Sequence, residues 1–79
     1  MNAETVEAAL AVAFATRLEL DPAEIEPDRA IAELPGIDSL AMLRVIVDVE
    51  TALGIQISDD TAYAATTVRQ LAKLVAEQA

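Results

Sequence analysis

Pro22, Pro27 and Pro35 crowd into one stretch of a chain whose flanks are patterned for helix. Proline lacks the backbone N–H and clashes with the preceding helical turn, so no continuous helix crosses this region. Residues 19 to 36 therefore read as a long structured loop, and the rest of the chain must fold around it. Loops of this length in small domains are usually functional or held by their own apolar anchors. Ile25, Ile31 and Leu34 are placed to pin this one to a core.

Before the loop, Val6, Leu10, Phe14 and Leu18 recur every fourth residue with Ala9 and Ala13 beside them, the stripe of an amphipathic helix from Asn2 to about Leu18. Asn2 is a candidate N-cap. After the loop, Pro35-Gly36 breaks the chain, Asp38 can cap, and residues 39 to 53 read as a second helix closed by Gly54. Ser58-Asp59-Asp60 offers a cap and an acidic first turn for a short third helix ending near Tyr63 or Ala64. Thr67-Val68-Arg69-Gln70 fits a capping box, and Val68, Leu71, Leu74 and Val75 continue at helical spacing toward the C-terminus. The expected fold is all-α, a small bundle of three main helices and one short one.

A chain of 79 residues supports one domain with a modest core, so residues 1–79 are expected to form a single free-standing unit. It contains neither cysteine nor histidine. Disulfides, thiolate nucleophiles, sulfur metal sites and the commonest general base are thereby excluded, and a conventional enzyme has little to build on. The formal charge of −9 repels nucleic acid and anionic membrane surfaces and favours basic protein partners, although surplus acid also serves plain solubility. Met1-Asn2-Ala3-Glu4 lacks the basic start of a signal peptide, and no apolar run approaches the roughly 20 residues that span a bilayer. The expectation is a cytoplasmic monomer that neither inserts into membranes nor binds nucleic acid.

On a helical wheel the apolar residues of the second helix fall into two arcs. Met42, Val45, Ile46, Val49 and Leu53 form one, sufficient to pack against neighbours. Leu40, Leu43 and Val47 form another beside Ser39, with Arg44, Asp48 and Thr51 beyond them and Glu50 between the arcs. This second strip either packs under the proline-rich loop as ordinary core or stays free as a docking surface, and the sufficiency of the first arc favours docking. Ser39 also reads two ways. Asp-Ser at a helix start is a common cap arrangement, yet a hydroxyl there sits at the positive end of the helix dipole, where a phosphodiester is stabilised.

The run Leu34-Pro35-Gly36-Ile37-Asp38-Ser39-Leu40 resembles the phosphopantetheine attachment signature of acyl and peptidyl carrier proteins. The resemblance extends through the long first loop, the helix after the serine, the Leu53-Gly54-Ile55 turn and the Thr67-Val68 start of the last helix. It implies that Ser39 accepts a 4′-phosphopantetheine arm from coenzyme A through a magnesium-dependent transferase, with Asp38 assisting that encounter. The arm's thiol would then hold an acyl or aminoacyl cargo as a thioester, the protein supplying tethering and delivery. It further implies that Leu40, Leu43, Arg44 and Val47 form the recognition surface. The implied partners are the phosphopantetheinyl transferase, a loading enzyme, and ketosynthase, condensation or tailoring enzymes.

Fatty-acid carriers usually follow Asp-Ser-Leu with an acidic residue and a second acid one turn later, where this chain has Ala41 and Arg44. That departure points to a dedicated partner in specialised polyketide or mixed polyketide and nonribosomal peptide metabolism. Peptidyl carriers more often show paired glycines before the serine motif, where Gly36-Ile37 stands here. That leans toward acyl cargo, with a free-standing aminoacyl carrier and a fatty-acid carrier as alternatives. From other classes come a cofactor-free helical interaction module, a cation binder at Asp59-Asp60, which lacks the ligand spacing of a calcium loop, and a small enzyme using Ser39 or Tyr63 with Lys73.

Overall fold

The computed structural model describes residues 1–78 and places four α-helices in the expected order: α1 at Ala3–Leu18, α2 at Ser39–Leu53, α3 at Asp59–Ala64 and α4 at Val68–Gln78. Each start is set by a side chain that the sequence offers for the purpose. Asn2 Oδ1 accepts the Glu4 N–H, and Ser58 Oγ accepts the Thr61 N–H. Thr67 Oγ1 accepts the Gln70 N–H, while Gln70 Oε1 accepts in return from the Thr66 and Thr67 N–H groups. These bonds satisfy backbone donors that a helix start leaves without partners. Gly54 closes α2 in the left-handed region, at φ 67°, as its place after Leu53 predicts.

Val6, Leu10 and Phe14 of α1 meet Val45 and Val49 of α2 and Val68, Leu71 and Val75 of α4 in a core that excludes water almost completely. In α4 the buried arc is centred between Leu71 and Ala72, which leaves Leu74 half-buried at its edge. Leu18 and Leu53 are also half-buried because each occupies the last turn of its helix, beyond the reach of full cover.

The proline-rich segment is ordered by short-range turns and by long-range anchors. Two 3₁₀ turns, Pro22–Glu24 and Ile31–Glu33, take up its slack. Ile25, Ile31 and Leu34 are buried as their apolar character requires. The Ile31 N–H donates to the Thr66 carbonyl at 2.8 Å and the Arg69 N–H to the Pro27 carbonyl at 3.0 Å, so the loop is stitched to the start of α4. The Arg69 side chain adds an ion pair to Asp28 at 2.7 Å. Among the described residues no helix is long and apolar enough to cross a membrane.

One local conflict remains in this frame. Glu19, which ends α1, adopts φ 56° with a side chain that disfavours the left-handed region. Glycine adopts that backbone without steric cost, at the expense of some unfolded-state entropy. Glu19→Gly is expected to raise stability by about 0.5–1 kcal/mol, measured by urea denaturation; a loss of stability would show that the Glu19 side chain contributes more than its backbone strain removes.

Candidate functional site at the head of helix 2

The approach to α2 is a sharp reversal. Gly36 takes φ 82°, a conformation that glycine adopts freely, and the Ile37 N–H closes back on the Leu34 carbonyl at 3.2 Å. Asp38 is then extended, and its Oδ1 accepts the Ala41 N–H at 2.7 Å while its carbonyl accepts the Met42 N–H at 2.9 Å. Asp38 is thus the cap, as expected. Ser39, the first helical residue, is exposed, and its hydroxyl is not needed to cap the helix.

Beside Ser39 a cleft of about 560 Å³ opens between α2, α3 and the loop. Ile31, Ile37 and Met42 line one side and Ala62, Tyr63 and Ala65 the other, with Ser39, Asp38 and Thr66 on its border. Tyr63 is largely exposed along this cleft. Its place there was not legible in the sequence, because it depends on α3 folding back toward the head of α2.

The two arcs of α2 separate cleanly. Met42, Val45, Ile46 and Val49 are no more than 6% exposed, whereas Leu40 and Leu43 are each 54% exposed and Val47 is 48% exposed. The strip does not pack under the proline-rich loop. Arg44 lies exposed beside it, and among the described residues it has no ion-pair partner. Ser39, Leu40, Leu43, Arg44 and Val47 therefore share one solvent-facing surface that begins at the head of the helix.

The acidic residues farther along α2 are already engaged. Asp48 receives two hydrogen bonds from Arg17 of α1, from Nε at 2.7 Å and from Nη2 at 2.8 Å. Those bonds hold the Asp48 carboxyl below its ordinary range, against the opposing effect of partial burial. The Glu50 Oε2 accepts the Ile57 N–H at 2.8 Å and ties α2 to the segment before α3. Both contacts join residues distant in sequence or across a turn, and neither has a local sequence signal. Among the described residues no cluster of acidic, histidine or cysteine side chains is arranged to hold a metal ion.

An exposed serine behind an aspartate cap, at the start of a helix and on the border of a mainly apolar cleft, can tether a phosphorylated group and has no base organised beside it. Residues 8–75 match the family described as "Phosphopantetheine attachment site". The chain belongs to that family of carrier proteins. The carrier is 35% identical over 63 residues to an acyl carrier protein of Rubrobacter xylanophilus, a match that covers 80% of this chain and 78% of that one. It is 38% identical to an acyl carrier protein of Streptomyces coelicolor, over 80% and 68% of the respective chains. A Myxococcus xanthus acyl carrier protein is 30% identical over 84% of each chain. The carrier is therefore no catalyst, and its cofactor is 4′-phosphopantetheine, held covalently.

The split between the arcs of α2 gives a direct check on stability. Leu43→Ala is expected to change the unfolding free energy by no more than about 0.5 kcal/mol. Met42→Ala is expected to cost about 2–5 kcal/mol. Denaturant titration of the two variants measures both, and equal losses would place Leu43 in the core.

Proposed function

We propose that Ser39 is the attachment point of the arm and that the α2 surface beginning there is what partner enzymes recognise. The observation that carries this reading is the exposed Ser39 hydroxyl at the head of α2, left free because Asp38 supplies the cap. A phosphodiester on that oxygen lies at the positive end of the helix dipole, with backbone N–H groups of the first turn nearby. When bound, the arm supplies a terminal thiol that carries cargo as a thioester.

The chain's own residues supply placement. Asp38 fixes the start of the helix and the direction in which the serine projects, and this is the geometry it presents to the phosphopantetheinyl transferase. The cleft bordered by Ser39 and Tyr63 offers the arm an apolar wall beside its root. Leu40, Leu43 and Val47 offer apolar contact to an enzyme that must approach within reach of the tether, and Arg44 gives that contact a charge by which partners are distinguished. Tethering in this way raises the local concentration of cargo at each partner in turn.

The finer reading is a cytoplasmic monomer serving specialised polyketide or mixed polyketide and nonribosomal peptide synthesis. Its enzymes would be a loading enzyme and ketosynthase, condensation or tailoring enzymes. The support is the lack of any acidic residue between Ser39 and Val47, with Arg44 in their place. The matched relatives are named acyl carrier proteins, which favours acyl over aminoacyl cargo.

The test is intact mass after incubation of the unmodified protein with coenzyme A, magnesium and a broad-specificity phosphopantetheinyl transferase. The wild-type chain is expected to gain one arm. Ser39→Ala is expected to gain none while keeping its unfolding free energy within about 0.5 kcal/mol of wild type, since the cap is intact. A folded Ser39→Ala protein that still gains an arm would refute the assignment.

A further inference from the structure

Beyond the position of the recognition surface, its charge identifies the chemistry of the partner. Between Ser39 and Val47 α2 contributes no carboxylate and one guanidinium, in a chain whose formal charge is −9. Among the described residues no acid forms an ion pair with that guanidinium. Asp48 is paired with Arg17, while Asp38 and Glu50 keep their charge and accept the backbone N–H groups of Ala41 and Ile57. Glu19 and Asp38 border the depression that Arg44 and Leu40 also line, but neither makes an ion pair with Arg44. Arg17 on the same border is neutralised by Asp48. Arg44 thus stands without an ion-pair partner among the described residues, beside Leu40, Leu43 and Val47, which are about half exposed.

A basic docking face gains no close-range pairing at Arg44. It would bring like charges together over an apolar contact, where water no longer screens them, and such juxtapositions are strongly disfavoured. A carboxylate at the rim of an apolar groove meets every feature: the groove covers the three aliphatic side chains, and the carboxylate forms a forked pair with the guanidinium. The net acidity of the rest of the chain acts at longer range and is screened within about 10 Å at ordinary salt. The close contact therefore decides which enzymes are accepted.

Resting on the assignment of this surface as the recognition face, we infer that the cognate acyl-handling enzyme presents an apolar groove with an aspartate or glutamate facing Arg44, and not the lysine- or arginine-rimmed face that suits an acidic helix.

The test uses the arm-bearing protein charged with an acyl group, with charging confirmed by intact mass before any transfer is measured. A failure of the attachment assignment therefore appears at that earlier step. The probe enzymes are a ketosynthase whose carrier-docking rim carries lysine and arginine, and the same ketosynthase with those rim residues replaced by glutamate. Wild-type carrier is expected to transfer faster to the glutamate-rimmed enzyme, by on the order of tenfold. Arg44→Glu is expected to reverse the preference and Arg44→Gln to abolish most of it, with unchanged circular dichroism in both. Faster transfer from wild type to the basic rim, an Arg44→Glu effect of equal size on both enzymes, or a charged carrier that transfers to neither enzyme would overturn the inference.

Discussion

One hydrogen bond sets the start of the molecule's most consequential element. Asp38 Oδ1 accepts the Ala41 N–H, and the helix begins at Ser39 and not a residue earlier or later. A helix turns about 100° per residue, so the spacing of its apolar residues determines which arc packs on the core. Met42, Val45, Ile46 and Val49 reach the core while Leu40, Leu43 and Val47 face solvent. The same bond keeps the Ser39 hydroxyl out of the capping arrangement. Asp38 thus caps the helix whose first residue is Ser39.

The proline-rich segment supplies the other half of that arrangement. Its anchors, Ile25, Ile31 and Leu34, hold it over the end of the bundle, and its backbone bonds to Thr66 and Arg69 fix it against the start of α4. The chain consequently enters α2 from a defined direction through the Gly36 reversal. Ile31 and Ile37 from this segment form part of the cleft at Ser39. A flexible connector of the same length would leave the serine exposed but would give it no defined surroundings.

Much of this was legible from residue order. The stripes of α1 and α2, the caps at Asn2, Asp38, Ser58 and Thr67, and the closing glycine at position 54 are local signals, and local physics fixes them. The Leu40, Leu43 and Val47 strip was legible as a surplus of apolar surface, but whether the loop covered it depended on tertiary contacts. The Arg17 to Asp48 pair spans 31 positions, and the Glu50 contact to Ile57 runs across a turn, so neither leaves a pattern in neighbouring residues. Tyr63 reached the cleft for the same kind of reason. Leu74 belonged to the periodic pattern of α4 but lies at the margin of its buried arc, while Ala72 falls inside it by its angular position.

The atom that bears the arm is identified by locating the arm on the polypeptide. The modified protein, digested and fragmented by tandem mass spectrometry, is predicted to carry the arm's mass on the residue between Asp38 and Leu40. An arm found on Ser58, Tyr63 or any threonine would contradict the account and detach the recognition surface of α2 from the tether it is held to serve.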